Sequence, residues 1–285
     1  MRRPLILAFG VACYGIFFLT FLYLIAFVGN LQTTALAAAV PALREWVPWS
    51  VDAGRAGTPL WVALAVDVGL ISLFGLQHSA MARSGFKAWL TRHVPTSVER
   101  SVYVLAASAA LALLLWQWRP LPEPVLWRAG SGLPAALAWT GFVAGFGLVL
   151  ASTFLINHFN LFGLQQVWMQ FVGRTHQEPS FRTPLLYRFV RHPLYLGFLI
   201  AFWSTPTMTL GHLVFALGMS GYILVGASFE ERDLERVHGE RYRRYRAQVP
   251  RFLPRPGHPW TGEGAAAHPA PLPRGRRLWR RQARA

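Results

Sequence analysis

With one cysteine in 285 residues, Cys13, the chain has no disulfide framework. No Cys–His pair, H-x-x-x-H or H-E-x-x-H spacing occurs, so a bound metal is not expected. No G-x-x-x-x-G-K-[ST] loop and no G-x-S-x-G elbow occurs either, which argues against nucleotide hydrolysis and serine esterase chemistry. No internal repeat is evident. Acids are scarce, 12 Asp and Glu against 28 Lys and Arg, and only 14% of residues are charged.

What fills the chain instead is apolar: 53% of residues are hydrophobic and 14% aromatic, more than one soluble core can hide. The apolar residues come in blocks near the roughly 20 residues that cross a bilayer. These are Leu5–Val28, Pro59–Leu76 with one acid at Asp67, Val102–Trp118 and Ala135–Ile156. A fifth block, Pro193–Phe229, is long enough for a hairpin turning in "STPTMTLGH" (204–212). Helices are expected, because a lipid-exposed backbone must satisfy its own hydrogen bonds. The first block is about twice the length of a signal-peptide core and reads as a retained helix despite "ALAAA" at 35–39. Cys13 within it reads as packing.

The net charge of +16 belongs to loops and tail, since 14 of the 28 basic residues lie from Arg232 onward. Such a total suits nucleic acid, but these charges flank membrane spans and suit anionic lipid better, so no nucleic-acid partner is expected. Segments 80–100 and 157–192 each carry four Lys or Arg, whereas 29–58 and 119–134 each carry two. The positive-inside rule then places both termini in the cytoplasm, which requires an even number of crossings. The fold expected is an all-α polytopic transmembrane bundle of about six crossings, the last two a hairpin, followed by a cytoplasmic C-terminal helix. Residues 1–190 form the first four spans, 191–255 the hairpin and C-terminal helix, and 256–285 a basic, Pro- and Gly-rich tail expected to be disordered.

This topology gathers four polar clusters at the cytoplasmic side: "LQHSAMAR" (76–83), "INHFNLFG" (156–163), His192 and "FEERDLE" (229–235). Polar groups at membrane depth usually face a cavity or a partner. Each also has a structural reading. His78, Asn157 and His158 can cap helix ends, and Asp67 can bond a neighbouring helix. Glu230 and Glu231 are harder to explain structurally, because the helix dipole disfavours acids at a C-terminal end. Arg191 and Arg232 would offset part of that cost.

"RHPLYLG" (191–197), followed by "EERDLERVHGERYRRYRAQVPRFLP" (230–254), resembles the signature of the integral-membrane methyltransferases, which include isoprenylcysteine carboxyl methyltransferases and phospholipid N-methyltransferases. The resemblance implies an S-adenosylmethionine site at Arg191, His192, Pro193, Tyr195, Gly197, Glu230, Glu231, Tyr242 and Tyr245. "GLQHSAMARSGFKAWLTRHVPTSVERSVYVL" and "FLINHFNLFGLQQVW" are similar to the bacterial methanethiol S-methyltransferases, relatives of NnrU-type membrane proteins. That narrower likeness runs from about residue 8 to 255. It implies a small thiol as acceptor and the bacterial inner membrane as location. It departs at Asn160 and Gln165, where the family pattern carries Asp and Arg. The thiol must lose a proton, and His78 is the first candidate base, with Arg83 orienting the thiolate. Asn157 and His158 stand on the substrate side, and Tyr195 and Glu230 are the alternative catalytic groups. Other acceptors (a phospholipid amine, an isoprenylcysteine carboxylate, another thiol) and a non-enzymatic accessory role are the competing readings.

Overall fold

The computed structural model describes residues 3–55, 57–177, 181–254 and 260–261. Helix α1 (Arg3–Val28) is followed by two short helices, α2 (Ala35–Ala39) and α3 (Ala42–Trp46). Then come α4 (Leu60–Met81), α5 (Ser84–Leu90), α6 (Thr96–Gln117), strand β1 (Val125–Arg128) and α7 (Leu133–Ile156). Short helices α8 (His158–Leu161) and α9 (Leu164–Phe171) precede α10 (Pro193–Trp203), β2 (Thr207–Thr209), α11 (Leu210–His238) and α12 (Glu240–Gln248). Among the described residues, five helices are long and apolar enough to cross a membrane: α1, α4, α6, α7 and α11. The protein is therefore a multi-pass helical membrane protein.

The expected hairpin is present, and it turns at 204–209 through β2, which pairs antiparallel with β1. Its two arms are unequal. α10 has 11 residues, a rise of about 16 Å, roughly half a hydrocarbon core. α11 has 29, about 43 Å, so its last turns run past the apolar layer. The sixth apolar helix thus falls short of a full crossing by itself. Apolarity alone did not reveal this, because Leu210–Phe229 reads the same whether it completes one arm or begins the next.

Outward side chains are apolar, as lipid contact demands: Leu19, Trp61, Val143 and Val225 are all exposed. Inside, Phe27, Trp118, Phe202 and Phe215 pack edge-on at the β1–β2 end of the bundle. Cys13 is buried without a partner cysteine, as plain packing requires. Asp67, also buried, accepts the Arg119 N–H at 2.9 Å and so caps the exit of α6. The 256–285 tail lies outside the described residues except for Trp260 and Thr261. Trp260 itself is packed on Tyr245, and its N–H donates to the Arg188 carbonyl.

Helices α7 and α10 make the closest approach. A Cβ placed on Gly197 would sit 2.6 Å from the Gly145 carbonyl oxygen and 2.8 Å from the Val149 nitrogen, both backbone atoms that cannot swing aside. The close approach that Gly197 permits is of helix to helix. Gly197→Ala is expected to cost about 1–3 kcal/mol by overpacking, read as a lower thermal midpoint in detergent. An unchanged midpoint would show that the two helices separate easily.

Candidate active site

The loop before α10 and the C-terminal part of α11 supply opposing halves of one polar cluster. Pro193 opens α10 at the position where a missing N–H leaves no bond unmade. The two segments differ in length. His212 Nε2 donates to the Phe202 carbonyl at 2.9 Å, so the helices meet at that level. From there α10 rises about 15 Å to His192, and α11 about 28 Å to Glu231. The direct contacts of Arg191 and His192 with Glu231 place the cluster at the α10 N-terminus. The N–H groups of Leu194 and Tyr195 have no intrahelical acceptor there.

Glu230 and Glu231 are adjacent and therefore about 100° apart around the helix. Glu231 turns inward and is 1% exposed. Arg251 donates to both of its oxygens, at 2.6 and 3.2 Å. Arg191 Nε donates to it at 2.9 Å and His192 Nε2 at 3.0 Å. Arg191 also donates to the Arg246 and Val249 carbonyls. Two backbone bonds, from Arg191 N–H to Pro250 and from His192 N–H to Arg251, complete a clasp between the two loops. The hydrogen bonds to Glu231 push the Arg251 guanidinium further above its ordinary pKa. Arg191 thus offsets the inward acid as expected, while Arg232 instead lies over the Phe229 ring at 5.8 Å.

Glu230 faces the other way, its side chain 46% exposed. The Tyr195 hydroxyl donates to it at 2.8 Å, and His192 Nδ1 stands 3.9 Å away. Tyr242 and Tyr245 make no hydrogen bond to it. They are buried with Phe181, Leu234 and Trp260, and Tyr245 donates to the Tyr187 carbonyl at 2.6 Å. Burial pushes both phenols well above their ordinary pKa. They hold α12 in place behind the clasp.

A second cluster adjoins the first through Tyr222 of α11, whose ring meets that of His78 edge-on at 5.9 Å. His78 Nε2 and the Tyr103 hydroxyl are 2.6 Å apart. The other ring nitrogen, Nδ1, is buried with no hydrogen-bond partner among the described residues. Tyr103, Tyr195 and Tyr222 all lie within electrostatic reach of Glu230. His78, Tyr195 and Glu230, far apart in sequence, thus share one aromatic-walled neighbourhood. Arg83 stands at its edge as a latch between α4 and α11. It donates to the Ser79 carbonyl and to Asp233 at 3.1 Å, with its guanidinium 4.8 Å from the Phe229 ring centre.

Asn157 and His158 make none of their polar contacts with this neighbourhood. Asn157 caps α8 by accepting the Asn160 N–H, and it donates to Gln165 at 2.9 Å. The Thr153 hydroxyl donates to the Leu150 carbonyl, so at the 2.9 Å contact it accepts from His158 Nδ1–H. His158 Nε2 then accepts from the Tyr14 hydroxyl at 2.8 Å. Both ring nitrogens are satisfied, and burial lowers the imidazole pKa. Among the described residues no three His, Cys, Asp or Glu side chains converge as a metal site would need.

The stretch holding both clusters, residues 68–254, matches the family model described as NnrU protein. The chain belongs to the NnrU family. It is 48% identical over 256 residues to the methanethiol S-methyltransferase of Mycobacterium tuberculosis, covering 90% of this chain and 98% of that one. It is 44% identical to the methanethiol S-methyltransferase of Crocosphaera subtropica, covering 89% and 93%. Nurim of Sus scrofa is 31% identical, covering 90% and 94%. No solved structure matches. In this NnrU-family chain three partners escaped sequence reasoning: Tyr103, Tyr222 and Arg251. The tyrosines carried a faint signal, as phenols inside apolar spans that need a partner when buried. Arg251 carried none, since an arginine in a basic segment looks like its neighbours.

Proposed function

We propose that this protein transfers the methyl group of S-adenosylmethionine to methanethiol, releasing dimethyl sulfide, in the bacterial inner membrane with both termini cytoplasmic. The observation that carries the reading is the pairing of an open carboxylate, Glu230, with a histidine whose Nδ1 is unpartnered, in one aromatic-walled neighbourhood. Relatives named for this activity match over most of both chains.

The donor set fits the cofactor. Glu230 offers a carboxylate to its sulfonium or ammonium, and the α10 N-terminus offers free N–H groups to its carboxylate. When bound, S-adenosylmethionine supplies a positively charged methyl sulfonium. The clasp at Glu231 holds His192 and the start of α10 in place. Tyr195 keeps Glu230 oriented. His78 takes the thiol proton at Nδ1, which requires Nε2–H to donate to the Tyr103 oxygen. Transfer to a thiolate removes both charges, so an environment poorer in water favours the transition state over the separated ions. The aromatic walls provide it.

The test is headspace gas analysis of purified protein with S-adenosylmethionine and methanethiol, with phospholipid amine, isoprenylcysteine and other thiols as competing acceptors. Dimethyl sulfide formation supports the reading. A preferred competitor would change the acceptor, and no product from any acceptor would overturn methyl transfer.

Orientation has its own test. Ser131→Cys, between β1 and α7, should react with an impermeant thiol reagent outside intact cells, and His93→Cys, between α5 and α6, should not. Buried Cys13 keeps the background low. The reverse pattern would move the site to the other face.

A further inference from the structure

A cavity of about 610 Å³ opens among the ends of α1, α5, α6 and α7, beside α8 and α9. It contains none of the clasp residues and neither Glu230 nor His78. Four cationic side chains line it, Arg3, Lys87, Arg100 and Arg174, against one carboxylate, Glu99. Arg100 is partly committed, donating to the Leu161 carbonyl at 2.7 Å. Arg3 and Arg174 are exposed at the rim. The end of the Arg3 side chain lies over Gly173, where a Cβ would be 3.0 Å from Nη1.

The deeper wall differs from the rim. Gln166 is 8% exposed, and its Nε2 is held by the carbonyl and side chain of Asn160 at 3.1 and 3.0 Å. That fixes the amide orientation and leaves Oε1 buried with no partner among the described residues. One Glu99 carboxylate oxygen is in the same condition. An unpaired buried acceptor forfeits the hydrogen bonds it made to water, so a ligand carrying donors suits this wall as an anion suits the rim.

We propose that this cavity binds a phosphate ester bearing hydroxyl groups, the headgroup of an anionic glycerophospholipid such as phosphatidylglycerol. The phosphate meets Arg3, Lys87 and Arg174, and a glycerol hydroxyl donates to Gln166 Oε1 or Glu99. A lipid rather than a free phosphate is favoured by α9. This amphipathic helix borders the cavity with Gln166 and Gln170 and exposes Trp168 and Phe171. Apolar side chains at that level give acyl chains a surface beside the headgroup. In the orientation proposed above, the cavity faces the leaflet where basic pockets between helices meet anionic headgroups.

The experiment uses the full chain in nanodiscs of phosphatidylcholine, with and without phosphatidylglycerol, and reads the thermal midpoint. Phosphatidylglycerol should raise it by roughly 3–6 °C through preferential binding to the folded state. Lys87→Gln with Arg174→Gln should remove most of that increment. Arg236→Gln with Arg244→Gln, which deletes equal charge elsewhere, should retain it. The increment is a difference between two bilayers, so a lower baseline in a variant does not obscure it. Equal increments in both double variants, or equal losses, would overturn the site in favour of diffuse charge attraction. Inorganic phosphate or glycerol phosphate is added to detergent-solubilised protein in a second arm. A matching shift there, with none from phosphatidylglycerol, would overturn the lipid source.

Discussion

His78→Ala is expected to lower turnover by roughly 100- to 10,000-fold, the usual worth of a positioned acid–base group, while S-adenosylmethionine binding persists. The expectation rests on the asymmetry of its ring. Nε2 is 2.6 Å from the Tyr103 hydroxyl, and Nδ1 is buried without a partner. His158 in this same protein is bonded on both ring nitrogens, whereas His212, at the other end of α11, shares the unpartnered Nδ1. It is therefore the neighbourhood shared with Tyr195 and Glu230 that singles out His78. A free alkyl thiol ionises above the roughly 8.5 of cysteine. Raising the pH therefore delivers more acceptor as thiolate, and the mutant should recover part of its rate where wild type gains less. The measurement is the pH–rate profile of both proteins at saturating cofactor. Wild-type rates with an unshifted profile would remove His78 as the base and leave Tyr195 or Glu230 in its place. Loss of cofactor binding together with aggregation would assign His78 a structural role.

The adjacent acids should separate into two phenotypes. Glu230→Gln is expected to weaken S-adenosylmethionine by about 10- to 100-fold, because a charge-assisted bond contributes roughly 1.5–3 kcal/mol. Its thermal midpoint should hardly move, since the side chain is half exposed and bonded to Tyr195. Glu231→Ala should do the reverse to stability. It strands Arg191, Arg251 and His192, and breaking a buried pair typically costs about 3–5 kcal/mol. The low end, about 3 kcal/mol, is expected because the Arg251 side chain is 31% exposed and regains water. Calorimetric titration and thermal unfolding of both variants decide this. If the two behaved alike, or the effects were exchanged, the division between an open acid and a clasped one would be wrong.

Much of the architecture was legible in the chain. The length of an uninterrupted apolar run is a local property, and in lipid it becomes a helix because nothing else satisfies the backbone. Four spans, the turn within 204–212 and the helix start at Pro193 follow from that and from proline's missing N–H. The likeness carried by "RHPLYLG" and "EERDLERVHGERYRRYRAQVPRFLP" pointed to one cluster, and the structure does bring Arg191, His192, Tyr195, Glu230 and Glu231 together.

Only the tertiary structure decided what each of these residues touches within the cluster. Glu230 and Glu231 are chemically identical and adjacent, so nothing local separates them. Helix rotation turns one toward Arg191 and Arg251 and the other toward open space. That Gly197 lets α10 pack closely on α7 depends on the Gly145 and Val149 backbone of another helix. His78 and His158 both sit near helix ends in sequence. One has Tyr103 on a single nitrogen and the other is bonded on both, which depends on side chains 25 and 144 residues away. Spans and caps are set by neighbours along the chain, whereas the free valence of a buried polar atom is set by whatever the other helices place beside it.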